Sequence, residues 1–133
     1  RWVKSRPDCN GRLAATGFCF GGGMSNTLAA ILGTDLAAAA PFYGRAPAVE
    51  DVPKIQAAML IHHGSLDTRL VQAYPAYEQA MQANNVMHEG HIYPDSVHGF
   101  FNDATPERYN QATAEEAWAR TIEWFNRFTR QAA

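Results

Sequence analysis

Cysteine is scarce in this sequence, and long apolar runs and clustered charges are missing. Only two of the 133 residues are cysteines, Cys9 and Cys19, which are too few for a disulfide framework. No run approaches the roughly 18 apolar residues of a membrane span, and no basic-then-apolar start resembles a signal peptide. The 11 Lys and Arg residues are scattered and the net charge is −2, which excludes a basic stripe for nucleic acid or an anionic membrane surface. We therefore expect a soluble cytoplasmic protein with neither nucleic acid nor membrane as a partner.

The apolar content is sufficient for one ordinary core. It amounts to 47% of the residues, and nothing divides the chain, so we treat residues 1–133 as a single domain. Residues 1–6 read like the last turn of a helix, closed by the turn-forming segment Pro7–Gly11. Since the first residue is Arg1 rather than Met, we expect the chain to begin in the middle of a fold.

Short apolar runs alternate with helical patterns along the chain. The predicted strands are Arg12–Phe18, Leu36–Phe42, Ile55–Ile61 and Met87–Tyr93, the first two of them buried. The predicted helices are Met24–Leu32, Arg69–Asn84 and a last one that opens with a capping box at Thr113 and buries Ala117, Trp118, Ile122, Phe125 and Phe128. This alternation predicts an α/β fold with a mostly parallel sheet and flanking helices.

The segment Thr16–Gly23 has the pattern of a nucleophile elbow. Cys19 stands between a predicted strand and a predicted helix, with Gly17 two residues before it and Gly21 two residues after it. A residue at such a turn needs neighbours nearly free of side chain, which glycine provides. The turn also directs the amide of Phe20 to the place where an oxyanion would form, near the positive end of the helix. A small cysteine packed among glycines is the alternative.

Two further residues follow the carboxyl ends of predicted strands. Asp67 comes after the third strand and His98 after the fourth, and in parallel sheets these ends form the site. A thiol with a pKa of ~8.5 is mostly protonated at neutral pH, so a nucleophilic cysteine needs a base, which His98 can supply. Asp67 can hold the imidazole in the right tautomer. The chain order of nucleophile, acid and histidine is that of α/β-hydrolases.

Three motifs together resemble the carboxyl-terminal half of a dienelactone hydrolase. They are Gly17–Gly22, His63–Asp67 and His98–Phe100, followed by Tyr109 and by Ala117-Trp118. The resemblance implies a partial α/β-hydrolase fold lacking its amino-terminal strands. It also implies hydrolysis of small esters or lactones through an acyl-enzyme, with no cofactor, by a triad of Cys19, His98 and Asp67. The Phe20 N–H would be one oxyanion donor.

The chain departs from that family in two respects. The amino-terminal half, with the second oxyanion donor, has no counterpart here, and the position four residues after the histidine is Asn102, where the resemblance implies an arginine for a substrate carboxylate. We therefore expect neutral small esters to compete well. We also expect self-association of the isolated chain, because the strand Arg12–Phe18 would be an open edge.

The histidines, the aromatic residues of the last helix and the function of the chain each allow another interpretation. His62, His88 and His91 invite a metal site, but no Cys or acid falls at ligand spacing, so we expect satisfied surface or sheet histidines and no metal. Trp118, Trp124, Phe125 and Phe128 are expected to be core residues and not a cofactor site; for Trp124, the alternative is that it faces solvent or the missing half. The rival to an enzyme is a truncated, non-enzymatic remnant that serves as an interaction module.

Overall fold

A computed structural model describes residues 1–130 of the chain. It contains four β-strands, three α-helices and three short 3₁₀ helices. The strands are β1 (Ala14–Phe18), β2 (Ala38–Phe42), β3 (Ala58–Gly64) and β4 (His88–Tyr93). The α-helices are α1 (Phe20–Leu32), α2 (Thr68–Ala83) and α3 (Gln111–Thr129). The 3₁₀ helices are Val3–Ser5, Gly33–Asp35 and Val49–Lys54.

The four strands form one parallel sheet in the order β1-β2-β3-β4. Their registers place Ala14 opposite Ala38, Ala38 opposite Ala58 and Met59 opposite His88. Parallel strands require crossover connections, and helices supply them between β1 and β2 and between β3 and β4. The predicted α/β class with flanking helices is confirmed. In residues 1–130, no helix has the length and apolarity that crossing a membrane requires.

The first strand is an edge of the sheet and is not buried. Its side chains alternate between exposed and half-buried positions, so the prediction of a buried strand is wrong. Backbone bonds to β2 involve the Leu13 carbonyl and the Cys19 amide. Because alternate residues direct their backbone groups to opposite edges of a strand, those of Ala14, Thr16 and Phe18 point away from β2. The expected open edge is therefore present.

Two apolar layers cover the sheet, one on each face. Helices α1 and α2 pack on one face through Ala29, Met59, Ile61 and Met81, all of them buried. On the other face, α3 lies against a surface made mostly of alanine. That surface consists of Ala38, Ala40, Ala58 and Leu60. Small side chains on β2 and β3 let a large aromatic residue of α3 approach the sheet closely.

That aromatic residue is Trp124, and it corrects the predicted face of the last helix. Trp124 is 5% exposed, whereas Trp118 and Ile122 are each 42% exposed. The indole N–H of Trp124 donates to the carbonyl of Ala58 at 3.1 Å, so the ring has both an apolar surface to cover and an acceptor to reach. The buried residues of α3 are Thr113, Ala114, Ala117, Thr121 and Trp124. The expectation of a buried Trp118 is wrong, and of the two alternatives for Trp124 the core position is confirmed.

The ends of several elements differ from the prediction for local reasons. The third strand begins at Ala58 because the 3₁₀ helix Val49–Lys54 occupies the residues before it, with Ile55 as its cap. The last helix begins at Gln111, and its cap is Asn110, whose side chain accepts from the Thr113 amide at 3.1 Å. The capping box at Thr113 is therefore not the start of that helix. Gly33 ends α1 with a φ of +53°, as predicted.

A buried histidine joins α3 to the sheet. His62 on β3 is fully buried. Its Nε2 lies 2.9 Å from Thr121 Oγ1, and its Nδ1 lies 2.9 Å from the Tyr93 hydroxyl. The Thr121 hydroxyl donates to the Ala117 carbonyl, so its oxygen accepts from His62 Nε2–H and Tyr93 donates to Nδ1. His62 is thus a satisfied sheet residue, as expected.

Burial also keeps this imidazole neutral. It lowers the pKa of His62 to about 3, with contributions from His91, Arg120 and His63. The pKa in the unfolded chain is about 6.5, so between these two values the unfolded state binds more protons than the native state. Stability therefore falls as the pH falls from about 6.5 towards 3.

Substituting Thr121 tests this connection. In Thr121→Val, His62 Nε2–H has no acceptor, and a buried unsatisfied donor costs about 1–3 kcal/mol. Urea unfolding at neutral pH should show a loss of that size. Thr129→Val is the matched control, because Thr129 makes the same bond to a carbonyl one turn earlier (2.6 Å) without touching a histidine. Equal losses in the two variants would contradict the proposed role of His62.

Candidate active site

Cys19 lies at a sharp turn between β1 and α1. It is the cap of the helix and has φ 56° and ψ −116°, a conformation that L-residues rarely adopt. Its amide donates to the Phe42 carbonyl at 3.1 Å, so the turn continues the β1–β2 hydrogen bonding. Cys19 is exposed. The predicted strand-to-helix turn is confirmed.

The glycines around Cys19 serve different purposes. A Cβ on Gly17 would lie 2.3 Å from the Gly21 carbonyl oxygen, and one on Gly22 would lie 2.4 Å from the Phe42 oxygen. These contacts bring α1 directly against the ends of β1 and β2. A Cβ on Gly21, in contrast, would meet no atom within 4 Å. The prediction that Gly21 must lack a side chain is therefore wrong, because the close contact is between the Cβ position of Gly17 and the backbone of Gly21.

Two loops bring Asp67 and His98 together. The amide of Ser65, after β3, donates to the Tyr93 carbonyl at 2.8 Å, and the amide of Leu66 donates to the Ser96 carbonyl at 2.9 Å. These bonds hold the loops after β3 and β4 side by side. A Cβ on Gly64 would lie 2.3 Å from the Ser96 oxygen, so the close approach depends on glycine at that position.

The result is a direct hydrogen bond between the two side chains. His98 Nδ1 lies 2.6 Å from Asp67 Oδ2. An ionised carboxylate only accepts, so the Nδ1 of His98 carries the proton and Nε2 is left as the basic nitrogen. The Asp67 side chain is 11% exposed and that of His98 is 43% exposed. The acid is thus sheltered while the imidazole remains accessible.

All four residues predicted from the sequence border one open cleft. Its volume is about 930 Å³. Cys19, Phe20, Asp67 and His98 line it, together with residues of α1 and α2. Phe20 is the first residue of α1, so its N–H has no acceptor within the helix. The cleft therefore combines a thiol, an imidazole–carboxylate pair and a free amide.

The surroundings of Cys19 favour its thiol form over its thiolate form. Partial burial raises the pKa of Cys19; the charge of Arg108 lowers it and that of Asp67 raises it. Among residues 1–130, no hydrogen bond joins the Cys19 sulfur to His98. Activation of this thiol therefore requires a proton acceptor at the moment of reaction.

His63 is a second buried imidazole close to the pair. It is 4% exposed, and its Nδ1 has no partner in the described part of the chain. Burial lowers its pKa to about 4, while the Asp67 carboxylate acts in the opposite direction. Its ring meets the Tyr74 ring edge-on at 5.7 Å. His63 is thus a neutral group beside a buried acid.

Three residues that line the cleft were not predicted from the sequence. Tyr43 follows β2, Arg45 follows it by two residues, and Arg69 is in the first turn of α2. The rule that sites form at the carboxyl ends of parallel strands could have pointed to Tyr43 and Arg45. The loop that carries them is held by Asn26, whose side chain donates to the Arg45 carbonyl at 3.0 Å.

Asn102 lies apart from the cleft lining. Its side-chain oxygen accepts from the Ala104 amide at 3.0 Å and stabilises a surface turn. This bond commits the carboxamide oxygen to the protein. Within residues 1–130, no group of three or more His, Cys, Asp or Glu side chains is placed to hold a metal ion.

Comparison with known proteins shows the family of the chain. The model of the dienelactone hydrolase family matches residues 1–129. The chain belongs to the dienelactone hydrolase family. A relative from Escherichia coli O157:H7 named "Putative carboxymethylenebutenolidase" is 34% identical over 128 residues, which cover 88% of this chain and 46% of that protein. The chain thus spans about half the length of such relatives.

Solved structures of family members have the same fold. A dienelactone hydrolase from Anabaena variabilis aligns with a TM-score of 0.73 and 23% identity over 97% of this chain and 56% of its own. A dienelactone hydrolase-like promiscuous phosphotriesterase from metagenomic libraries aligns with a TM-score of 0.83 and 23% identity over 95% and 56%. These likenesses concern the fold.

Alanine at Gly17 and at Gly21 should have opposite effects. Gly17→Ala places a methyl group against the Gly21 carbonyl, and overpacking of this kind costs about 1–3 kcal/mol or more. Gly21→Ala fills open space in a helix and should be neutral or stabilising by up to ~1 kcal/mol. Urea unfolding of both variants measures the difference. Similar destabilisation by the two substitutions would contradict the contact described for this elbow.

Proposed function

We propose that this chain carries the nucleophile, the base and the acid of a hydrolase that cleaves small esters or lactones. The observation that carries the proposal is the 2.6 Å bond between His98 and Asp67 at a cleft that also holds the left-handed Cys19. Family membership supports it. The chain spans about half the length of its relatives. The activity of the whole protein is therefore also a proposal.

The reaction begins with proton transfer from the thiol. His98 Nε2 takes the proton of Cys19 as the sulfur attacks the carbonyl carbon, and Asp67 stabilises the imidazolium that forms. The carbonyl oxygen becomes an oxyanion and accepts a hydrogen bond from the Phe20 N–H at the positive end of α1. Because the surroundings of Cys19 favour the thiol form, His98 has to act as base in this step.

Collapse of the intermediate expels the alcohol. The C–O bond of the ester breaks, His98 gives its proton to the leaving oxygen, and a thioester to Cys19 remains. Water then attacks this acyl-enzyme, with His98 again taking a proton and returning it to the sulfur. The products are a carboxylic acid and an alcohol, or one hydroxy acid from a lactone.

The substrate is a small molecule that fits a partly apolar cleft. Leu70, Ala46 and Met24 line it on one side, and Arg45 and Arg69 border it elsewhere. Asn102 is not among the residues that line the cleft, so it does not supply the clamp for a carboxylate that arginine would at that position. Neutral esters are therefore expected among the substrates, together with anionic ones that the two arginines attract.

A role in association is the second candidate, and the exposed edge of β1 favours it. Ala14, Thr16 and Phe18 are exposed there, and unpaired backbone groups at such an edge invite another strand. On α1, Phe20 and Ile31 are also exposed, at 82% and 71%. In the isolated chain the occupant would be a second copy. In a longer family member it would be the portion of the fold that this chain does not span.

Hydrolysis and thiol labelling test the first proposal together. His98→Ala should lower the hydrolysis of p-nitrophenyl acetate by about 10²–10⁴-fold, because it removes the general base. Iodoacetamide should label Cys19 of the native protein faster than Cys9, which is half-buried and accepts a bond from the Gly11 amide. Peptide mapping measures the two rates. With Phe20 as the one backbone amide assigned to the oxyanion, activity of the chain alone should be low, since loss of such an amide donor costs ~10²–10³ in kcat.

Cys9→Ala is the matched control for Cys19→Ala. The first should retain hydrolysis and the second should abolish it. Activity that survives in Cys19→Ala, or labelling of Cys9 at the same rate as Cys19 or faster, would refute the assigned nucleophile.

Light scattering tests the association. The chain should form dimers or larger species, and Ala14→Pro should reduce them, because proline removes an outward amide without breaking a bond to β2. Ala14→Thr, which keeps the amide, should associate like the wild type. A wild-type chain that is monomeric at high concentration would refute pairing at this edge.

A further inference from the structure

Positive φ angles single out a residue that faces Cys19 across the site. Four non-glycine residues in the described part of the chain have φ between 38° and 56°. Asn85 and Asp95 are of the types that tolerate this region, usually in turns. The other two are Cys19 and Tyr43, and both line the cleft. Strained backbone of this kind costs about 1–3 kcal/mol and concentrates at functional sites.

The conformation of Tyr43 is imposed by its surroundings. Its amide donates to the His62 carbonyl at 2.7 Å. The next residue, Gly44, packs so closely on α1 that a Cβ there would lie 2.2 Å from the Gly22 carbonyl carbon. The chain must therefore turn at Tyr43 immediately after β2. The phenol ring borders the cleft and lies against His98.

Aromatic contacts hold the ring in place. Its centroid lies 4.9 Å from that of the His98 imidazole and 5.2 Å from that of Phe100, which it meets edge-on. Tyr43 as a residue is only 2% exposed. The ring is thus a fixed wall of the cleft next to the imidazole.

The proton of the phenol has no acceptor. Buried tyrosine hydroxyls usually find a partner, and in residues 1–130 the hydroxyls of Tyr74, Tyr77 and Tyr93 all do. No side chain or carbonyl of the same residues accepts from Tyr43. Burial raises the pKa of Tyr43 to about 12; the nearby Cys19 adds to the rise, and the Phe101 amide, as a donor, opposes it. The hydroxyl therefore remains protonated at neutral pH, with a proton to donate.

We propose that the Tyr43 hydroxyl donates a hydrogen bond to the ester group as Cys19 attacks it, and is thus a catalytic residue of this site. The inference rests on the proposed function of Cys19. The Tyr43 hydroxyl is thus a second donor beside the Phe20 amide, and both donors belong to this chain. A neutral phenol suits this role because it can stabilise developing negative charge on oxygen without transferring its own proton.

Two reactions of the same thiol separate this role from others. Acylation of Cys19 by p-nitrophenyl acetate develops negative charge on a carbonyl oxygen, whereas alkylation by iodoacetamide leaves its carbonyl oxygen uncharged. Tyr43→Phe removes only the hydroxyl and keeps the ring against His98. Burst kinetics and mass spectrometry on the full chain measure acylation of Cys19, and peptide mapping measures its alkylation.

Tyr43→Phe should slow acylation by about 10- to 1,000-fold, the range for loss of an oxyanion donor. Alkylation should stay within about twofold of the wild type, since the thiol and His98 are unchanged. Tyr74→Phe is the matched control; its hydroxyl bonds to Glu78 at 3.0 Å, so both rates should stay at the wild-type level.

Three results would overturn the proposal. The first is acylation that is unaffected by Tyr43→Phe. The second is equal slowing of acylation and alkylation by Tyr43→Phe, which would mean that Tyr43 acts through the thiol or His98. The third is that Tyr74→Phe slows acylation as much as Tyr43→Phe does. Failure of the proposed function would look different, because wild-type Cys19 would then not be acylated at all.

Discussion

The close backbone contact between α1 and the ends of β1 and β2 is the constraint on which the site depends. Gly17, Gly22 and Gly44 have no side chains where α1 and the strands meet, and a Cβ at any of them would lie within 2.5 Å of a backbone atom. This proximity forces Cys19 and Tyr43 into left-handed conformations on either side of the same contact. The helix begins immediately after the strand, so the thiol stands at its positive end.

The acid and the histidine reach the cleft in another way. Their loops are joined by backbone hydrogen bonds, and Phe100, fully buried, anchors the loop that carries His98. The 2.6 Å bond between them fixes the imidazole. The strained backbone at Cys19 and Tyr43 and the paired loops of Asp67 and His98 thus form different parts of one cleft.

The two faces of the sheet also differ in what stabilises them. The α1 and α2 side is a layer of mostly apolar side chains with one buried bond between the two helices, from Tyr77 to Asn26, whereas the α3 side combines an alanine surface with two buried polar bonds, Trp124 to Ala58 and His62 to Thr121. Directional bonds of this kind specify one position of α3 along the sheet, because each donor has a single acceptor within reach. In residues 1–130 no strand pairs with the outer edge of β1, and Phe18 remains 38% exposed there.

Local sequence determined the order and type of the elements, the elbow at Cys19 and the identity of Asp67 and His98. It did so because alternating apolar runs, glycines around a nucleophile and strand-end polar residues are short-range signals that the backbone obeys directly. Only the tertiary structure decided which glycine is sterically required, which face of α3 is buried, and that Tyr43 faces the thiol. These depend on contacts between segments distant in the chain, such as Gly22 with Gly44 and Trp124 with Ala58, and no local pattern encodes such distances.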